Sequence, residues 1–181
     1  SQILLSIKKN LESSRLVDEK ITKNYQQEFR NISLQLSSSL SINDWYDVYR
    51  KIVFWELELS QSRDNSIDEI ISMQKSEANS QFFRFVKNNY KDWINDVDSP
   101  LLSNNLMKEK VFPLINTESP VYMLLIDNLR YDQWKVIENK ILEKFRIIED
   151  HLYLSILPTA TQYSRNSIFS GLKPSEIQKK S

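Results

Sequence analysis

Cysteine is absent from this chain of 181 residues, and histidine and glycine occur once each. Without cysteine there is no disulfide scaffold and no thiolate metal site, and the absence fits a cytoplasmic protein. The single glycine, Gly171, stands against an average near 7%. A β-rich domain draws on glycine for its turns, so residues 1–100 are expected to be helical. Formal charge is +0, which removes any general electrostatic case for binding nucleic acid. No apolar run reaches the roughly 18 residues of a membrane span. Ser1 to Leu11 mixes lysines with a few aliphatics and lacks the apolar centre of a signal peptide. No repeat or low-complexity tract occurs.

What is there in the first hundred residues is helical periodicity. Ile3, Ile7, Leu11, Val17, Ile21, Tyr25, Phe29, Ile32 and Leu36 follow one face of a long helix, which the serines 37–39 interrupt. Trp45, Val48, Tyr49, Ile52, Trp55 and Leu59 make a second stripe, with Ser41 and Asp44 spaced as a capping box. Ser66 and Glu69 repeat that spacing ahead of Ile67, Ile70, Ile71, Ala78, Phe82, Phe85, Trp93 and Val97. Asp98, Ser99 and Pro100 end the third helix. Three amphipathic helices with short polar loops predict an antiparallel bundle over 1–100. Trp45, Trp55, Phe82, Phe83, Phe85 and Trp93 then read as its core. A base-stacking platform would come with a basic groove, which the sequence does not show.

Residues 101–120 read as a linker with a short helix around Leu106 to Val111, and Pro113 and Pro120 punctuate it. From Val121 the pattern changes to strand, helix, strand, helix. The run Val121 to Ile126 (VYMLLI) is short and wholly apolar, as in a parallel strand buried on both faces. A helix between Tyr131 and Lys144 would bury Trp134, Ile137, Ile141 and Leu142. A second strand is expected over Phe145 to Leu157, irregular near His151. The last helix should run from Gln162 to Ser170 and close at Gly171, with Pro174 just beyond.

Two residues in this part carry chemistry. Asp127 directly follows the first apolar run, the edge of an open α/β sheet where ligands bind. Thr161 stands where unpaired N–H groups and the positive end of a helix dipole suit a phosphoryl group. These residues also suit plain structural roles: Asp127 can open a turn, and Thr159 or Thr161 can be an N-cap.

Longer motifs bear on the choice. DNLRYDQW (Asp127 to Trp134) and SILPTATQYSRNSIFSG (Ser155 to Gly171) closely resemble the opening of a PglZ domain, in the alkaline phosphatase superfamily. SQILLSIKKNL (Ser1 to Leu11) and NYQQEFRN (Asn24 to Asn31) resemble the middle helical region of PorX-type response regulators of type IX secretion. The resemblance implies a mixed fold, a three-helix bundle followed by the opening βαβ segment of an α/β PglZ domain over 121–181. It implies Asp127 as a zinc ligand and Thr161 as nucleophile and metal-bound oxygen. Metal coordination activates a hydroxyl, and a zinc pair stabilises both attacking and leaving oxygens. Asn128, Arg130, Arg165 and Asn166 are candidates to bind substrate phosphate, Arg being suited to bidentate contact; they equally fit a solvated helix surface.

The implied activity is metal-dependent hydrolysis of oligonucleotide phosphodiesters, and the implied partners are a sensor histidine kinase and a sigma factor. The outer face of the first helix offers a surface for a homodimer. The sequence departs from the family pattern in two respects: the family's downstream Asp and His ligands have no match in this sequence, and the first hundred residues show none of the strand–helix alternation expected of a receiver domain. His151 matches no ligand and reads as a surface or strand-end residue. Two oxygen donors do not close a zinc site, so this chain alone is expected to be inactive. The other reading is a non-catalytic signal-relay and docking module.

Overall fold

A computed structural model describes residues 2–60, 66–115 and 119–180, and within α1 few side chains before Glu19. The chain divides into two compact units, residues 1–86 with 130–137, and residues 87–129 with 138–181.

The first unit holds α1 (Gln2–Leu36), α2 (Ile42–Ser60) and most of α3 (Ser66–Trp93). The bundle expected from periodicity is present. At one end Ile32 and Leu36 of α1 meet Trp45, Val48 and Ile52 of α2 and Ala78 of α3. At the other, Tyr25 meets Leu59, Ile67 and Ile71. α2 therefore runs antiparallel to both neighbours. The Ser41–Asp44 capping box forms: Asp44 Oδ2 accepts the Ser41 N–H at 2.8 Å, and Ser41 Oγ accepts the Asp44 N–H at 3.3 Å. The Ser41 hydroxyl, donating to Asp44 Oδ2 at 2.6 Å, and the Ser41 N–H hold the Asp44 carboxyl below the usual range. The side chains of Ile3, Ile7, Leu11, Val17 and Ser66 lie outside the described part.

Two stripe positions and one expected core aromatic depart from the reading. Tyr49, Ile70 and Phe83 are exposed, because a bundle helix buries an arc narrower than its apolar sequence covers. Tyr49 instead sets its ring 5.6 Å from that of Tyr131. The polar Gln74 is buried, its Oε1 accepting the Tyr25 hydroxyl at 3.3 Å and its Nε2 donating to the Phe29 carbonyl at 3.0 Å.

Burial pushes the Tyr25 phenol from 10.0 up to about 12. Between those values the folded state keeps a proton that the unfolded chain has lost. Stability from this group is therefore complete below pH 10 and falls as pH rises toward 12. Tyr25→Phe should make that alkaline fall in the urea midpoint shallower. Tyr46, Tyr49, Tyr90 and Tyr153, also raised by burial, would contribute to what remains.

α3 ends at Trp93, four residues short of the expected Val97, which is exposed. The Val97 N–H bonds to the Asp92 carbonyl and the Asp96 N–H to that of Trp93, both at 3.0 Å. This pair is a Schellman closure, with Asp96 at φ 63° in the place glycine usually takes.

In the second unit Trp93, Leu102, Ile156 and Ile168 are the buried apolar residues. The short expected helix is a 3-10 turn (Ser103–Asn105), a wide turn (Met107–Val111) and α4 (Phe112–Ile115). α5 spans Tyr131–Leu142, crossing the division between the units; Trp134 and Ile141 are half-buried and Ile137 and Leu142 exposed, so its expected buried face is only partly covered. α6 (Thr161–Ser170) closes at Gly171, φ 69°, as expected, and α7 (Pro174–Lys180) follows.

The βαβ segment is not formed among the described residues. Val121 to Ile126 has no strand partner and lies open, Tyr122 at 85% and Leu124 at 82%. Of the second expected strand only Leu154 pairs, in one parallel bridge with Leu102. A buried parallel strand exists through neighbours on both edges and layers on both faces, and these runs have neither here.

Ser167 Oγ is fully buried in α6 and finds no partner among the described residues. Ser167→Ala removes an unsatisfied hydroxyl and improves helix propensity, so thermal unfolding should show a gain of up to about 1 kcal/mol.

Candidate active site

The second unit brings Asp127 and α6 into contact. Asp127 stands at the end of the exposed apolar run, and Asn128, at φ 59°, turns the chain there in the left-handed conformation that asparagine tolerates. Arg165 Nη1 lies 3.5 Å from Asp127 Oδ2, with the side chains 48% and 67% exposed. An ion pair so long and so solvated contributes little stability and leaves both groups available.

Thr161 is the first residue of α6, one turn before Arg165 on the same face. The N-cap is Ala160, which has no side-chain acceptor, and neither Thr159 nor Thr161 takes that role. The Tyr163 and Ser164 N–H groups both bond back to the Ala160 carbonyl at 2.9 Å. The N–H groups of Thr161 and Gln162 have no acceptor within the helix. An exposed hydroxyl thus sits at the positive end of α6, beside amides suited to an anion. Asn166 is exposed on the next position, its carbonyl accepting the Ser170 hydroxyl.

Arg130 belongs to the first unit and is engaged there. Its Nε and Nη2 grip the Asp132 carboxylate at 3.0 and 2.8 Å, while its N–H donates to Gln133 Oε1 at the start of α5. This pairing holds the Asp132 carboxyl below the usual range. Within its own unit Arg130 thus closes on the start of α5.

Comparison with known families divides the chain in two. Residues 15–94 match the PorX response regulator linker domain, and residues 106–181 match the BREX system PglZ alkaline phosphatase-like domain. The chain carries a PorX-type linker followed by PglZ-type sequence. No curated protein matches it.

Asp127, Asn128, Arg165, Asn166 and Thr161 all fall in the PglZ-type part. Zinc is the metal the family resemblance implies, and its donors can be compared with the residues present. Asp127 offers one carboxylate and Thr161 one hydroxyl, while no group of three or more His, Cys, Asp or Glu able to hold a metal ion occurs among the described residues. These donors do not fit a closed zinc site. His151 of the PglZ-type part pairs with Glu149 at 2.7 Å on the surface.

The segment leading to Thr161 is held by residues that carry no sequence signal for such a task. Ser103 Oγ accepts the Ile156 N–H at 3.0 Å, and the Tyr90 hydroxyl meets both backbone groups of Leu157. No motif or spacing marks either residue.

Proposed function

We propose that this chain is part of a cytoplasmic PorX-type response regulator whose PglZ portion hydrolyses oligonucleotide phosphodiesters and so regulates type IX secretion. The observation that carries the reading is Thr161, an exposed hydroxyl at the start of α6 where no side chain caps the helix. A phosphate oxygen placed against the Thr161 and Gln162 amides would be held by hydrogen bonds and the helix dipole. Thr161 Oγ would then attack phosphorus in line, losing its proton to solvent as the ester oxygen departs and is protonated. Water then attacks the resulting diester between Thr161 and the remaining nucleotide, releasing that nucleotide as a phosphomonoester and restoring the Thr161 hydroxyl. Arg165, one turn along, neutralises charge on the non-bridging oxygens. Asn128 and Asn166 add amide contacts to the same group.

Zinc is the cofactor of this reading, with the Asp127 carboxylate and the Thr161 hydroxyl as the donors this chain would contribute. A sensor histidine kinase and a sigma factor are the proposed partners, and the outer face of α1 the proposed homodimer surface. No helix among the described residues is long and apolar enough to cross a membrane.

The test is turnover by the whole gene product that contains this chain. Purified with zinc, it should cleave bis(p-nitrophenyl) phosphate and short oligoribonucleotides, and chelation should stop it. A zinc-loaded protein inert toward both would overturn the phosphodiesterase reading and leave a relay and docking module.

A further inference from the structure

Tyr90 sits in the last turn of α3, within the segment matched to the linker, and Leu157 lies within that matched to PglZ. The two meet in a double hydrogen bond. The Tyr90 hydroxyl accepts the Leu157 N–H at 2.7 Å and faces the Leu157 carbonyl as donor at 3.3 Å. Only Pro158, Thr159 and Ala160 separate Leu157 from Thr161. One phenol thereby satisfies both backbone groups of the residue that opens the nucleophile loop.

Neighbouring contacts make this a framework. Leu154 N–H bonds to the Leu101 carbonyl at 2.9 Å and Ile156 N–H to Ser103 Oγ. Ser155 and Ser164 hydroxyls meet at 2.8 Å, bracing the approach against the first turn of α6. Beyond α6, Lys173 Nζ pairs at 2.8 Å with Asp96, the residue that closes α3. The end of α3 thus holds the chain on both sides of α6.

We infer that Tyr90 is a positioning residue for Thr161, and that through it the end of the linker helix sets the geometry of the PglZ nucleophile loop. The inference rests on the proposed phosphodiesterase reading for its catalytic consequence, but the grip on the loop is measurable without turnover. Anchored at Leu157 by two hydrogen bonds, the loop restricts how far Thr161 and the start of α6 can move relative to Asp127. A movement of the α3 terminus would reach Thr161 by the same route. Small misplacements of a nucleophile are costly in rate, which is why three intervening residues suffice to transmit an effect.

Tyr90→Phe keeps the ring and removes only the hydroxyl. In the whole zinc-loaded protein it should lower kcat roughly 10- to 100-fold with KM unchanged. It should also speed amide exchange in residues 154–164 while the bundle keeps its protection. Tyr25→Phe, which removes a buried hydroxyl of the first unit, should leave both readouts at the wild-type level. Unchanged exchange at 154–164 in Tyr90→Phe would overturn the inference, as would faster exchange throughout the protein, which marks a merely structural role. Faster local exchange with unchanged kcat would overturn the coupling to catalysis. If the wild type shows no turnover the phosphodiesterase reading fails, and faster exchange confined to 154–164 would still support the grip of Tyr90 on the loop.

Discussion

Thr161→Ala is expected to abolish the proposed zinc-dependent phosphodiester cleavage, with a loss of roughly 10³-fold or more in kcat, as removal of a nucleophile does elsewhere. Its effect on folding should be negligible. The side chain is exposed at the first position of α6, caps nothing, and gives way to the best helix former. Thr161→Ser retains an attacking oxygen and should keep measurable activity. Asp127→Ala should cost a comparable factor in rate. Because Asp127 is exposed and its bond to Arg165 is long, stability should shift by no more than about 0.5 kcal/mol. Steady-state kinetics beside thermal unfolding of the same variants separates the two effects. Wild-type turnover in Thr161→Ala would remove that residue from the mechanism, whatever the other results.

The largest stability effect is expected inside the bundle. Ile32 is 0% exposed and belongs to the cluster formed by Leu36, Trp45, Val48, Ile52 and Ala78. Ile32→Ala deletes three carbons from a site walled by three helices, where collapse around the gap is restricted. The cost should be about 2–5 kcal/mol, a large part of what a domain of this size has to lose. Leu34, two residues along the same helix, is 70% exposed, and Leu34→Ala should shift stability by no more than about 0.5 kcal/mol. Urea unfolding followed by far-UV circular dichroism distinguishes these outcomes. Similar midpoints for the two variants would mean that α1 is not packed as described.

Much of this contrast can be read from the sequence, since Ile32 falls on the periodic face of α1 and Leu34 off it. The Ser41–Asp44 box was equally legible, because a capping box needs only two residues three apart. α6 and its stop at Gly171 rest on the same kind of local rule. Where a local rule had two solutions, it misled. The pattern carries α3 to Val97, but Asp96 takes the left-handed position and closes the helix at Trp93, in a chain that has no glycine nearby. The strands expected at 121–126 and 145–157 failed for another reason. Their apolar pattern states what such a segment can pair with, while pairing itself requires neighbours that the described residues do not supply.

The sequence by itself determined the three amphipathic helices, the Ser41–Asp44 cap of the second, the helix headed by Thr161 and the motifs around Asp127. Each depends on residues within a few positions of one another, where backbone geometry alone sets which side chains meet. Only the tertiary structure decided that Gln74 is buried against Tyr25, 49 residues away, and that Tyr90 holds Leu157 across 67 residues. It also decided that Arg165 faces Asp127, 38 residues away. A tyrosine or an arginine carries no mark of its eventual partner. That choice is made by the packing of whole elements, which brings distant donors and acceptors together once the apolar faces have been buried.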